Sequence, residues 1–310
     1  MKKLSTNSKS TDSDEPSFDS DGAASIVDEL YKEVLGRSAD DQGLTNYVRH
    51  MQQGMTVLEV KQTLRCSAEY IVRQTPLRPT HYTDDDLSFF MGTYKDAERA
   101  EGALSRLRQH YPNAALQIRS DGDPDPANER LSKRFKANYT EGERLYPIEN
   151  GGALVAKTFE LFLRQPRAFF LKIDPDTSID RRFDYLLDQV AVFGSLQHTR
   201  ARLSVQGGFT GATRETVEKI VDSGLLLDPR LRNPKKYQDQ SSYFRRMAMR
   251  SQRCGLSSFD WILGWASAEL GIPILPFDEV HCRWKANINF SNDDLKFALT
   301  HPVYFEQLSK

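Results

Sequence analysis

The feature that most limits what this chain can fold into is a change of apolar period near Pro76. Before that point, apolar residues recur as Ile26, Val27, Leu30, Tyr31, Val34 and Leu35, then Leu44, Tyr47, Val48 and Met51, then Val57, Val60 and Leu64. Each set lines one face of a helix. Gly36 is placed to end the first helix as a left-handed cap, and Gly54 closes the second. Pro76 and Pro79 mark a linker over 76–86. Beyond it, short apolar runs alternate with helical stretches. Residues 87–91, 115–118, 168–173 and 203–205 read as buried strands, with helices expected over 96–110, 150–165 and 179–192. This alternation predicts an α/β fold: a mostly parallel sheet flanked by helices, behind a small N-terminal all-α domain. In such sheets ligands bind beyond the carboxyl ends of the strands.

Composition narrows the class. The 310 residues leave room for one large domain and a smaller one at about 150 residues per domain. Residues 1–22 are rich in Ser, Asp, Thr and Gly with a single aromatic, Phe18, and predict a disordered tail. The expected division is therefore a tail over 1–22, a helical accessory domain over 23–75, the linker, and a larger domain over 87–310. Lys and Arg total 42 against 43 Asp and Glu, a net charge of -1, so no overall field recruits nucleic acid or an anionic membrane. No uncharged apolar stretch reaches the roughly 18 residues of a bilayer span, and the most apolar run, 261–277, is interrupted by Glu269. Lys2 and Lys3 are followed by Ser and Asp rather than a signal-like apolar segment, so a cytoplasmic protein is expected. Cys66, Cys254 and Cys282 form no Cys-x-x-Cys pair and read as buried reduced thiols.

The strand Ala168-Phe-Phe-Leu-Lys-Ile173 runs straight into Asp174-Pro175-Asp176-Thr177. Pro175 biases Asp174 toward extended backbone, so carboxylates two apart project to one side. They repel unless a cation lies between them, and hard oxygen donors favour Mg²⁺ or Mn²⁺, which in turn clamps a diphosphate. The same four residues also suit a turn that caps the next element.

Three further strings bear on that choice. Asn150-Gly151-Gly152-Ala-Leu-Val-Ala-Lys157 precedes the strand that contains Lys172, Val205-Gln206-Gly207-Gly208-Phe-Thr-Gly211 follows it, and Ser258-Phe-Asp260-Trp261-Ile-Leu-Gly264 comes later, ahead of Leu270-Gly271-Ile272. Together with Asp174-x-Asp176 they resemble, in order, the motifs of glycosyltransferases of the A-type fold, nearest to the Fringe-like and galactosyltransferase branch, over residues 86–305. The chain departs from that pattern where Pro175 and Phe259 stand among expected acidic residues.

The resemblance implies a sheet-based transferase moving a sugar, most simply from a UDP-sugar, to a hydroxyl of a glycan or glycoprotein acceptor, with inversion. It implies that Thr93 and Tyr94, with Gly92, meet the nucleotide base, and that Asp121 meets the base or ribose. Asp174 and Asp176 would hold Mn²⁺ or Mg²⁺ on the diphosphate, with a histidine as a third ligand: His301, or alternatively His281. Gly207 and Gly208 would let sugar or acceptor approach, and Asp260, at a helix start, would deprotonate the acceptor hydroxyl. Lys157 and Lys172 could steady phosphate, although surface lysines are the ordinary outcome. Trp261, Trp265 and Trp284 could stack on a sugar, or simply fill a core.

Two other readings compete. Asp174-x-Asp176-x-Ser178 after an apolar run also resembles the first motif of haloacid-dehalogenase-type phosphatases, with Asp293 and Asp294 as a late metal pair. The other reading is a docking protein whose larger domain is catalytically degenerate. In the N-terminal part, Leu35-Gly-Arg-Ser-Ala-Asp-Asp-Gln-Gly-Leu44, Gly54 and Cys66-Ser-Ala-Glu-Tyr70 resemble, over 25–73, the small helical domain related to phycobilisome linkers. That likeness implies docking or assembly, with a protein partner.

Overall fold

The computed structural model describes residues 20–122, 124–143, 145, 150–198, 203–206, 208–228, 258–284 and 297–303. The chain divides into two units, Met1–Tyr70 and Ile71–Lys310.

In the first unit, α1 (Ser20–Leu35) buries Val27, Leu30, Tyr31 and Val34 against α2 (Asp41–Gln52) and α3 (Val57–Arg65). Gly36, at φ +69°, ends α1 as its sequence predicts. The Asp40 carboxylate caps α2 by accepting from the Gly43 N–H at 2.8 Å, and Thr56 and Glu59 close a reciprocal capping box on α3. Residues 20–22 form the first turn of α1, where Asp21 suits the positive end of the helix dipole, so the expected tail is shorter than the polarity of 1–22 suggested. Residues 1–19 lie outside the described residues. A short helix, α4 (Ala68–Gln74), follows.

The second unit begins with a correction. Residues 76–86 are not a free linker: β1 (Pro79–Thr80) pairs with β7 (Leu186–Leu187). The Gln189 side chain accepts from the Arg78 N–H at 2.7 Å and donates to the Pro76 carbonyl, while the Tyr82 hydroxyl donates to the Phe183 carbonyl at 2.6 Å. A proline suits a sheet edge, where its missing N–H costs nothing.

From there the chain runs β2 (Leu87–Thr93), α5 (Ala97–His110), β3 (Ala115–Ser120), α6 (Pro126–Arg134), β4 (Asn138–Thr140), α7 (Gly151–Leu163), β5 (Phe169–Ile173) and β6 (Ser178–Ile179). After β7 come β8 (Val192–Gly194), β9 (Leu196–His198), β10 (Leu203–Val205), β11 (Phe209–Thr213), α8 (Arg214–Asp222), α9 (Ser258–Leu270), β12 (Ile274–Pro276), β13 (Val280–Trp284) and β14 (Leu299–Val303). The main sheet has the order β12-β8-β11-β5-β2-β3-β4. Its pairings are parallel except around β11, which runs antiparallel to both β5 and β8. Alternation within β2 and β5 fills a core on each face. Phe89, Met91, Leu171 and Ile173 join Leu104, Leu107 and Tyr111 on one side, and Phe90 and Phe170 join Phe159, Phe162 and Phe259 on the other. The expected α/β architecture, a mostly parallel sheet between helices behind a small all-α unit, is what the chain forms.

Two expectations fail locally. The helix expected over 179–192 is replaced by β6, β7 and the start of β8. Ile179, Phe183, Leu186 and Leu187 are all buried at helix-like spacing. Distant partners nonetheless hold the segment extended: β6 pairs with β14, the Arg182 guanidinium binds Asp84 and the His110 carbonyl, and the Phe183 N–H donates to the Tyr111 hydroxyl at 2.7 Å. Tertiary pairing overrides local period here. The strand at 203–205 does form, but it joins β9 in a separate ribbon rather than the main sheet.

Candidate active site

β5 ends in the turn 174–177, and three hydrogen bonds fix that turn. The Asp174 N–H donates to Thr177 Oγ1 at 3.1 Å, the Thr177 N–H donates to the Asp174 carbonyl at 3.1 Å, and Thr177 Oγ1 donates to the Gly208 carbonyl at 3.0 Å. Because Phe209 pairs with Ile173, the glycine-rich segment enters β11 directly beside the acidic turn. Gly208 therefore lies where the sequence placed it; Gly207 is outside the described residues. Gly211 has a different reason to be glycine: an added Cβ would fall 2.1 Å from the Phe193 ring. It is a packing position.

Lys172 is the group around which the site is organised, and it corrects the expectation of a surface lysine. Residue alternation directs its side chain to the face that buries Phe170, where it is 7% exposed. Its ammonium lies 2.6 Å from Asp174 Oδ1 and 5.4 Å from the centre of the Phe259 ring, a cation–π contact. Phe259, the residue that broke the expected acidic pattern, thus packs over the charge. Burial works against that charge, but Asp174, Asp260 and Asp176 more than offset it, and the Lys172 pKa lies above its ordinary value. Asp174 and Asp176 are half-buried. Asp260, in the first turn of α9, is 1% exposed. Motifs remote in sequence thus act on one ammonium, Asp174 by direct contact and Asp260 and Asp176 through their charges.

Three carboxylates around one ammonium leave two negative charges when all are ionised. That surplus, and the hard oxygen donors that carry it, fit a divalent cation such as Mg²⁺ or Mn²⁺. Asp176 and the second oxygen of Asp174 are the donors suited to hold it, since Asp174 Oδ1 already faces Lys172. Among the described residues no cluster of three His, Cys, Asp or Glu side chains has the spacing of a complete metal site. The third-ligand expectation falls on β13 and β14. Thr300 pairs with Ser178, so the next residue on β14, His301, continues the strand alongside the acidic turn; its side chain lies outside the described residues. His281 pairs with Thr300 from the far side, and its ring stacks on Phe297 at 4.7 Å.

The residues expected on the nucleotide side, Thr93, Tyr94 and Asp121, gather at the carboxyl ends of β2 and β3. There a cleft of about 270 Å³ is lined by Tyr94, Lys95, Ser120 and Asp125. The Lys95 ammonium lies 5.4 Å from the Tyr94 ring centre. Thr93 is buried, and its hydroxyl has no hydrogen-bond partner among the described residues. Asp121 is held in place: its N–H donates to the Thr93 carbonyl at 3.0 Å, and its Oδ1 accepts from Arg119 at 3.0 Å and the Leu145 N–H at 2.8 Å. Arg119 also donates to the Glu143 carbonyl, so this buried residue ties the segment after β4 to the edge of the cleft. Sequence reasoning passed over Arg119. Its only signal was a charge inside an apolar strand.

Other expectations are not brought to the site. Lys157 is exposed on α7 and pairs with Glu160 at 3.3 Å. Trp265 is 4% exposed within the core on the α7 and α9 face, so it packs rather than stacks on a ligand. The side chains of Trp261 and Trp284 lie outside the described residues, as do Asp293, Asp294 and Cys254. Cys66 is a half-buried free thiol. Among the described residues, no helix is long and apolar enough to cross a membrane.

Residues 16–73 match a family described as a domain of unknown function, DUF4214. The match falls mainly on the first unit, Met1–Tyr70. A search of curated proteins finds no match for the chain. Among solved structures, a crystal structure of the galactosyltransferase LgtC in complex with donor and acceptor sugar analogues aligns with a TM-score of 0.41 at 9% identity, covering 70% of this chain and 87% of that one.

Proposed function

We propose that the larger unit is a glycosyltransferase that moves a sugar from a nucleotide-sugar, most simply a UDP-sugar, to a hydroxyl of a glycan or glycoprotein acceptor. The observation that carries this reading is the meeting of Asp174, Asp176 and Asp260 on the buried Lys172, beside Gly208 and at the same sheet edge as the cleft at Tyr94 and Ser120. A bound Mn²⁺ or Mg²⁺ would neutralise the departing diphosphate.

The chain's own residues supply the rest. Asp174 and Asp176 present the donors, and Lys172 fixes the orientation of Asp174. Gly208 leaves room for sugar or acceptor beside them. Asp121, clamped by Arg119, forms a rigid polar wall of the nucleotide side. As base, Asp260 would take the acceptor hydroxyl's proton while that oxygen bonds the anomeric carbon from the face opposite the breaking bond to the diphosphate, which inverts the centre.

The burial of Asp260 favours a second role for that residue, a fixed counter-charge to Lys172. Release of free nucleoside diphosphate from a panel of donor sugars tests the assignment: turnover with at least one donor is expected, and silence across the panel contradicts it. With the active donor, Asp260→Asn should lower kcat by about 10²–10⁴-fold and remove the acidic limb of the pH–rate profile, where protonation silences a carboxylate base, if it is the base. A loss below tenfold with an unchanged profile leaves it as the counter-charge.

A further inference from the structure

The first unit contains a cleft of about 740 Å³ that the transferase reading does not use. Its volume is in the range of small-ligand sites. Tyr31 and Tyr47 contribute phenol rings, set edge to face with centres 6.1 Å apart, and Gln42, Thr45, Asn46 and Arg49 contribute polar side chains along α2. Tyr31 is 6% exposed as a residue, but its hydroxyl and that of Tyr47 are not sealed from solvent, so both open into the cleft.

Two details show that the arrangement is built. The Arg37 guanidinium covers the Tyr31 ring at 5.4 Å while its other nitrogens bind Glu69, which fixes the ring from outside the cleft. At Gly43 an added Cβ would lie 2.2 Å from the Tyr31 hydroxyl, so only glycine leaves that hydroxyl its place against the first turn of α2. Burial pushes the Tyr47 phenol up to about 12, so it stays a proton donor at neutral pH.

We propose that this cleft is a carbohydrate-binding site that takes a short neutral oligosaccharide. The half-buried Tyr47 ring offers flat apolar surface to the C–H face of a sugar, the Tyr31 hydroxyl reaches the lining, and hydroxyl, amide and guanidinium groups match the sugar's ring of hydroxyls. Asp40 and Asp41 outnumber Arg49, which donates to Asn46 Oδ1 at 2.8 Å, along the lining, so no excess of positive charge invites a phosphate or an acidic glycan. A protein partner calls for an apolar centre; the exposed apolar side chains of this unit, Val57 and Leu58, lie on α3 and not in the cleft.

The test is binding of the full chain to maltotetraose, cellotetraose and chitotetraose, read by calorimetry and by ligand-observed NMR without donor or metal. At least one should bind with a millimolar or tighter Kd. The double variant Tyr31→Phe, Tyr47→Phe keeps both rings, and at about fivefold per lost hydrogen bond should weaken binding by roughly 25-fold, with the thermal midpoint retained. Thr45→Ala, at the exposed rim, should weaken it less. No binding across the three sugars, or equal binding by the double variant, overturns the site. A protein captured through this face with sugar binding absent also overturns it. Because the readout omits turnover, failure of the transferase assignment leaves this result untouched.

Discussion

Asp176→Asn should abolish metal-dependent turnover, lowering diphosphate release by about 10³-fold or more while the thermal midpoint stays within about 2 °C. The reasoning is a charge balance. Lys172 already cancels one of the three negative charges gathered around it. An asparagine at position 176 matches the aspartate in shape but leaves a single unbalanced charge, too little to hold a divalent ion against water. The fold should not notice, because Asp176 is half-buried on a turn whose hydrogen bonds run through Asp174, Thr177 and Gly208. Steady-state rates in saturating Mn²⁺, with a parallel melting curve, measure both. A variant that keeps more than a small fraction of the wild-type rate removes the acidic turn from the mechanism.

Lys172→Met should be the most destabilising single change at the site. Methionine fills the volume and keeps the contact with Phe259, so the effect isolates the charge. Removing one partner of a buried ion pair costs about 3–5 kcal/mol, because the other charge stays in a medium that solvates it poorly. Here Asp260 sits at 1% exposure and Asp174 is half-buried. In a domain of this size the thermal midpoint should fall by on the order of 10 °C. Differential scanning calorimetry measures it. The variant should also lose turnover, since Asp174 is then no longer oriented. An unchanged midpoint would mean that Lys172 is a bystander in an adaptable pocket.

The architecture was legible where local signals and tertiary environment agree. Runs such as Phe169 to Ile173 are apolar on both faces because both faces are covered, and the helices at α5 and α7 carry clear apolar stripes. Legibility failed at 179–192, where Phe183 and Leu186 fit a helix until Tyr111 and β1 claim the backbone and Asp84 the Arg182 side chain. It failed again at 76–86, where Pro79, read as part of a linker, occupies a sheet edge that needs no N–H, and Pro76 is held through its carbonyl by Gln189.

At the site, the order of motifs identified Asp174, Gly208 and Asp260 as neighbours, which β11 and α9 make possible. What no local pattern could show was the role of Lys172. A lysine in a buried strand reads as an error of assignment until its partners come from a helix far along the chain. Phe259 shows the same limit from the other side: an apparent defect in a motif is the ring that packs against that ammonium.

The most direct measurement of the central claim is a calorimetric titration of UDP into the full chain, with Mn²⁺ and then with the metal chelated. Saturable binding in Mn²⁺ that disappears on chelation, and in Asp176→Asn, is the expected result. UDP binding of equal strength with and without the metal, or none in its presence, would show that the acidic turn after β5 does not hold a diphosphate.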